Sequence, residues 1–372
     1  MKTNSQFQHK ALEDAVILIP SLEPDERLPA YIRRLVESGF GHVVVVDDGS
    51  SESYQEIFRS LEEIDPRVKV LHHDVNHGKG VALKTGYRWI QENFPSISGV
   101  ITADADGQHT AADCIHLAEE LEKGQRALYL GSRDFSLENV PPKSRTGNRI
   151  TSVLFLLLYG KWLQDTQTGL RAFRREDLPF MLEVEGERFE YEMNVLIACA
   201  RADLPMIPIT IETVYENENK GTHYHPLKDS MRIFRVIIRG FVKFMGVSLL
   251  CFLVDQALFN LFNLSVFGNG TVKRAGFILL STAIARVTSA TLNFVLNKNV
   301  VFRLKGNTGG ALWKYAVLAL VIMGLSAAGV WLLGKAGMHS TLAKLIVDTL
   351  LYFCSYRVQQ KWVFGGEKSI KK

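Results

Sequence analysis

The sequence changes character near residue 240, and no other feature limits the fold as much. Before that point short apolar runs alternate with helical patterns. Beyond it charges thin out and the apolar runs lengthen, so a chain average of 47% hydrophobic and 22% charged residues hides two unlike parts. A length of 372 residues suits two domains. The formal net charge of +4 is too mild for a nucleic-acid binder, and there is no basic arm and no interleaved aromatic-basic patch. No nucleic-acid partner is expected.

In the first part, strands are expected at 15–20, 43–46, 68–71, 99–103 and 127–131, with helical patterns at 25–38, 53–63, 78–92 and 111–123. Strands alternating with helices of this length build βαβ units and a mostly parallel sheet. Ligands of such sheets bind outside the carboxyl ends of the strands. The polar clusters 47–50, 104–109 and 132–133 all follow strands and are expected to converge on one crevice. The first ten residues, MKTNSQFQHK, lack the apolar stretch of a signal peptide, which places this part in the cytoplasm. Cys114, Cys199, Cys251 and Cys354 form no CxxC pair and are expected to be reduced and buried.

Segment 150–163 is strongly apolar but too short to span a bilayer. It fits a buried core helix or a helix lying in the membrane interface. Segment 226–243 repeats Arg232, Arg235, Arg239 and Lys243 at helical spacing and is expected to be an amphipathic interfacial helix. Four spanning segments follow, at 244–262, 276–296, 312–333 and 341–356, the fourth being the shortest. Basic residues collect on one set of flanks, including Lys298, Arg303, Arg357 and Lys361, which puts both termini in the cytoplasm. Asp255, Arg286 and Asp348 interrupt three spans and are costly in lipid. Arg286 is expected to pair with one of the acids, either as plain interhelical pairing or as part of a lipid-headgroup path. NFVLNKNVVF at 293–302 and SYRVQQKWVF at 355–364 resemble each other, as do KFMG at 243 and KYAV at 314. This points to two helical hairpins related by duplication. The expected divisions are 1–225, 226–243, 244–364 and a basic tail at 365–372.

TADADGQH at 102–109 is the strongest chemical signal. Asp104 and Asp106 flank one residue directly after a strand, so both carboxylates can enter the crevice. Two hard oxygen ligands suit Mg²⁺ or Mn²⁺, completed by water and diphosphate oxygens, and Gln108 can add an amide oxygen. The plainer alternative is a surface turn whose carboxylates cap the next helix. VVVVDDGS at 43–50 ends a buried strand in Asp47 and Asp48, which suit hydrogen bonds to a base or ribose, or again a helix cap.

AVILIPSLEPDE, VVVVDDGS, NHGKGVALKTGY, TADADGQH, GSRDF and DTQTGLRAF stand in the order found in family 2 glycosyltransferases. Residues 15–239 resemble that family's dolichyl-phosphate mannose synthase and polyprenyl-phosphate glycosyltransferase branch. The resemblance implies the GT-A fold, an α/β nucleotide-diphospho-sugar transferase domain with a Rossmann-like mixed sheet. Residues 240–364 resemble a GtrA-like transmembrane domain, which implies four helices in two hairpins. The implied activity is metal-dependent transfer of a hexose from a UDP- or GDP-linked donor to undecaprenyl or dolichyl phosphate at the cell membrane. Pro20, Leu22, Glu23 and Asp48 would line the base pocket, with Asp47, Lys79 and Lys220 also on the nucleotide-sugar. Asp104, Asp106 and Gln108 would hold the metal, and Arg133 with Arg145 or Arg149 the lipid phosphate.

Two departures stand out. Glu23-Pro24 replaces the family's Asn-Glu, and KGTHYHP replaces a Gly-x-Ser-Lys loop, leaving Lys220, His223 and His225 without a family counterpart in type. A lipid monophosphate is mostly dianionic at pH 7 and needs cationic positioning rather than a base. A single in-line displacement with inversion is therefore expected. A processive polysaccharide synthase would carry Gln-x-x-Arg-Trp before its membrane helices, and none occurs there. A translocator of lipid-linked sugar is the other competing reading. The hairpins are compatible with a homo-oligomer.

Overall fold

Uncharged runs such as VVVV at 43–46 suit strands covered on both faces. The computed structural model describes residues 2–135, 137, 140, 142–212, 226–262, 275–302 and 308–365. Two compact units divide the chain, Met1–Ile237 and Ile238–Lys372. Lys220, His223 and His225 lie outside the described residues.

In the first unit the strands are β1 Ala15–Ser21, β2 His42–Asp47, β3 Val68–His72, β4 Gly99–Thr102, β5 Leu128–Ser132, β6 Arg171–Arg174 and β7 Met206–Thr210. They form one sheet in the order β3-β2-β1-β4-β6-β5-β7. All pairings are parallel except those of β6, which runs antiparallel to β4 and β5. The sheet is therefore mixed. The strand order turns between β1 and β4, where a crevice opens beyond their carboxyl ends.

The helices here are α1 Lys2–Glu13, α2 Arg27–Glu37, α3 Gln55–Ile64, α4 Lys79–Asn93, α5 Ala111–Glu122, α6 Pro142–Tyr159, α7 Leu178–Glu183 and α8 Glu190–Arg201. Ile17, Ile19, Val43, Val45, Ile101, Phe58 and Leu117 share one buried cluster. Helix α1 was not expected from its polar residues; it buries Ala11 and Leu12 and pairs Lys10 with Glu122. On α4, Gly86 leaves room for Leu18, which a Cβ there would strike. Helix α6 buries one face of segment 150–163, as a core helix would, and exposes the other. Phe155, Leu158 and Tyr159 are buried, while Ile150, Val153, Leu156 and Leu157 are exposed.

The remaining helices are α9 Pro226–Asn260, α10 Ala275–Leu296, α11 Thr308–Lys335 and α12 Ser340–Val358. The division between units falls inside α9, which runs unbroken for 35 residues. The amphipathic segment and the first apolar segment are thus one helix. Among the described residues three stretches are long and apolar enough to cross a membrane: Met231–Asn260, Leu279–Val301 and Thr308–Lys335. Helix α12 does not reach that standard, and it carries Lys344 and Asp348, paired at 2.9 Å. Cys354 on α12 is exposed, contrary to expectation, because its face of the helix has no protein partner burying it.

The internal repeat has a structural counterpart in the second unit. Helices α10 and α12 each run into a π-helical turn, Asn297–Val301 and Gln359–Val363. Asn297 donates to Asn293 Oδ1 at 2.7 Å, and its counterpart Gln359 donates to Ser355 Oγ at 3.1 Å. The two amides meet directly, Asn297 Nδ2 donating to Gln359 Oε1 at 3.2 Å. Phe302 and Phe364 stack with centroids 5.1 Å apart, flanked by Phe294 on Phe364 and Tyr356 on Phe302. Arg286 Nε lies 3.7 Å from Asp255, which also accepts from Ser289 at 2.9 Å. In the other half Ser326 donates to Asp348 at 2.6 Å.

Candidate active site

The carboxyl end of β2 sets one wall of the crevice. Asp47 accepts from the Ser50 N–H at 2.8 Å, from Gln55 at 3.0 Å and faces His72 Nδ1 at 3.0 Å. Burial works against its charge, but these hydrogen bonds outweigh it and hold the carboxyl below its usual value. Asp48 faces His73 Nδ1 at 2.8 Å and accepts from the N–H groups of His77 at 3.1 Å and Gly78 at 2.7 Å. Gly49 has φ +76°, and a Cβ there would run into the backbone of Val75 and Asn76. Asp48 thus fixes the loop that opens α4 and aims Lys79.

Lys79 Nζ lies 2.6 Å from Asp104 Oδ1 and 3.0 Å from Glu192 Oε2. Burial opposes the ammonium, yet the two carboxylates prevail and raise its pKa. Burial likewise opposes Asp104, but Lys79, then His109, bring its carboxyl down to about 2. Asp106 goes the other way, raised by burial and by the charge of Asp104. The Asp104 N–H donates to His109 Nδ1 at 3.1 Å. Its carboxylate sits against Gly169, where any Cβ would collide with it. Helix α5 is capped by Thr110 and Asp113 in a reciprocal box, so Asp104 and Asp106 are not its caps. Asp106 accepts instead from the Gln108 N–H at 3.1 Å.

Two arginines enter the site, Arg133 directly after β5 and Arg171 as the first residue of β6. Arg133 grips the buried Asp165 through Nε at 2.7 Å and Nη2 at 3.2 Å. Arg171 donates from Nε to Thr168 O at 2.9 Å and from Nη1 to Glu192 O at 2.7 Å. Its side chain is buried, 4% of the residue being exposed, and its Nη2 has no hydrogen-bond partner. A buried guanidinium with one open nitrogen is a strong seat for an anion.

Residues 16–179 match the model of Glycosyl transferase family 2, and residues 243–364 match that of the GtrA/DPMS transmembrane domain. The chain is a family 2 glycosyltransferase carrying a GtrA/DPMS transmembrane domain. This transferase is a membrane protein. It is similar to the UDP-N-acetylglucosamine–dolichyl-phosphate N-acetylglucosaminyltransferase of Methanococcus voltae, at 27% identity over 54% of this chain and 85% of that protein. It is also similar to the undecaprenyl-phosphate mannosyltransferase of Micrococcus luteus, at 28% over 52% and 81%. The polyprenol monophosphomannose synthase of Mycolicibacterium smegmatis matches at 29% over 44% of this chain and 62% of that protein.

A cavity of about 590 Å³ gathers many of the residues singled out in the transferase's sequence. Pro20, Leu22, Glu23, Asp48, Lys79, Asp104, Asp106, Gln108 and Arg133 all line it. Glu23 has φ +48°, a strained value for a non-glycine residue, and its N–H donates to Ser50 Oγ at 2.8 Å. Asp47 does not line the cavity; it braces the turn behind it. Arg145 and Arg149 are exposed on α6 and do not line it either; Arg145 Nη2 donates to Leu137 O at 2.8 Å. Ser144 reaches the cavity from that helix instead.

Sequence reasoning passed over Arg171, Arg188 and Ser21, which also line the cavity. Arg171 lies inside DTQTGLRAF, but nothing in its spacing marks an open nitrogen. The acidic pair of α8 separates into two jobs. Glu190 Oε1 accepts from the N–H groups of Glu187 and Arg188, as a helix start favours, while Glu192 faces Lys79.

Proposed function

We propose that the protein transfers a hexose from a UDP- or GDP-linked donor to a polyprenyl phosphate at the membrane surface. The observation that carries this is one cavity holding Asp104 and Asp106 together with Lys79, Arg133 and Arg171, in a protein with a membrane domain. The names of the relatives support a lipid-phosphate acceptor.

The acidic residues fit a divalent ion of the Mg²⁺ or Mn²⁺ type. Asp104 and Asp106 offer carboxylate oxygens, and Gln108 an amide, in the same cavity. Among the described residues no group of three or more His, Cys, Asp or Glu side chains gathers to hold an ion unaided. The ion would therefore share its coordination with the donor's diphosphate, where it offsets charge on the departing nucleotide. Pro20, Leu22, Glu23 and Asp48 receive the base and ribose. Lys79 and the open Nη2 of Arg171 serve phosphate oxygens, and Arg133, oriented by Asp165, meets the lipid phosphate. Glu192 is engaged by Lys79 and is poorly placed to act as a base. A phosphate acceptor needs none, so displacement proceeds in one step with inversion. The exposed apolar side of α6 suits a boundary with lipid. All four helices α9–α12 span the membrane as two hairpins, with the catalytic unit and both termini in the cytoplasm.

The test supplies detergent-solubilised full-length protein with UDP- and GDP-hexoses, Mn²⁺ or Mg²⁺ and polyprenyl phosphate. A lipid-linked sugar is expected by mass, and it disappears in D104N and D106N while membrane insertion persists. Absence of product with every common donor would overturn the reading.

A further inference from the structure

We propose that the Lys79 ammonium is a built-in competitor of the divalent ion for the Asp104 carboxylate, and that Glu192 is the second seat that would receive the lysine when the ion binds. This rests on the proposed metal-dependent transfer and adds to it an order of binding.

The geometry places three groups in line. Lys79 Nζ is 2.6 Å from Asp104 Oδ1, and it is 3.1 Å and 3.0 Å from the two oxygens of Glu192. A lysine with both oxygens of a second carboxylate in reach keeps a full partner after leaving the first. An ion bound to Asp104 would sit within a few ångströms of that ammonium, and like charges at such range in a buried site repel strongly. The two cations cannot hold Asp104 together in their present positions.

The surroundings make the side chain of Lys79 the mobile part. Its backbone is pinned at the start of α4, where Gly78 has φ +101° and a Cβ there would strike Glu187 and Arg188. The Val81 N–H donates to Gly78 O at 2.9 Å and to Glu187 O at 3.0 Å. Asp104 rests against Gly169 and has no room behind it. Glu192 is steadied through its own carbonyl, which accepts from Arg171 Nη1 at 2.7 Å. Two carboxylates, on backbones held in place, therefore flank one long, flexible cation.

The consequence is synergy between ion and donor. Alone, the ion must dislodge Lys79 and binds weakly. A nucleoside diphosphate brings negative charge that draws the ammonium off Asp104 and leaves that carboxylate to the ion. The lysine thus ties ion binding to donor arrival, and Glu192 sets how readily it lets go.

The experiment measures Mn²⁺ binding to full-length protein in detergent, by calorimetry and by the electron paramagnetic resonance of free Mn²⁺, with and without UDP or GDP. Lys79→Met should bind Mn²⁺ alone at least about ten-fold tighter than wild type, the scale on which one neighbouring charge shifts a carboxylate's preference for a cation. It should also lose most of the enhancement by nucleotide. Lys79→Arg keeps the charge and should stay weak. Glu192→Gln removes the second seat, leaves the lysine on Asp104 and should bind Mn²⁺ more weakly than wild type. These opposite signs survive a modest loss of stability in any one variant. Equal or weaker Mn²⁺ binding by Lys79→Met, in a wild type whose binding is lost in Asp104→Asn, overturns this inference alone. Equal binding by wild type and Asp104→Asn overturns the metal reading and this inference with it.

Discussion

A methyl group at position 169 would drive into the Asp104 carboxylate, so this glycine fixes where the carboxylate stands. Gly169→Ala should leave the sheet intact but displace Asp104, and an error of about 1 Å in such a group costs on the order of a hundred-fold in rate. Product formation beside an unchanged circular dichroism spectrum checks this. Arg171 carries a separate prediction. Arg171→Lys keeps a charge but loses the two carbonyl bonds that set the fork's plane. Its kcat should fall, and the structure around Glu192 should loosen, since Glu192 O loses its donor. An unchanged kcat would remove Arg171 from the phosphate seat. Asp104 and Asp106 were singled out by their place just after a strand and Lys79 by the family resemblance, and the structure brings all three to one cavity. Arg171 was not singled out. Its meaning lies in a missing partner, and only packing reveals which nitrogen of a guanidinium is left open.

At the scale of elements, the capping box of α5 anchors the acidic loop. Thr110→Ala should cost about 1 kcal/mol, the usual value of a lost N-cap, and it should weaken activity more than stability because the loop 104–109 ends at that cap. Thermal unfolding and kcat, read together, separate the two effects. Asp47 braces the β2 turn in the charged form, and its folded pKa is lowered. Its stabilisation is fully present above its ordinary value of 3.8 and is lost as pH falls through the folded value. The difference in melting temperature between wild type and D47N should therefore be constant above about pH 5 and shrink below about pH 4. Strands β1 to β4 could be read from their β-branched residues and β5 from its short apolar run LYL. Strand β6 could not: RAFR is four residues long with arginine at both ends, and its place beside β4 comes from long-range pairing. Helix α1 escaped for a related reason, because among its described side chains only Ala11 and Leu12 of the last turn are drawn into the core. The continuity of α9 was hidden by its change from basic to apolar, which alters the solvent of a helix and not its period.

Across the whole molecule, a glycosyltransferase unit is joined to a membrane unit in which several polar side chains bond to one another. In the second unit Asn297 donates to Gln359 Oε1 across the two turns that lead to Phe302 and Phe364, while Asn297 Oδ1 has no partner among the described residues. Replacing either one by Leu strands the other amide and should destabilise the unit by about 1–3 kcal/mol. The double replacement should be milder than the sum of the two, as coupled neighbours require. Unfolding in detergent, followed by intrinsic fluorescence, measures the difference. The repeat was visible in the sequence as ten matched residues, but its mutual amide contact was not, since a pattern does not say that two copies touch.

The two matching turns, each with its own amide and phenylalanine, meet as mirror partners do in a symmetric dimer. Yet they belong to one polypeptide. One polypeptide thus carries both copies of the repeat together with a single transferase unit. Freed from the requirement that both halves stay identical, one half sets Arg286 and Ser289 on Asp255 of its first helix and the other sets Lys344 and Ser326 on Asp348 of its second, a polarity that two identical copies could not show.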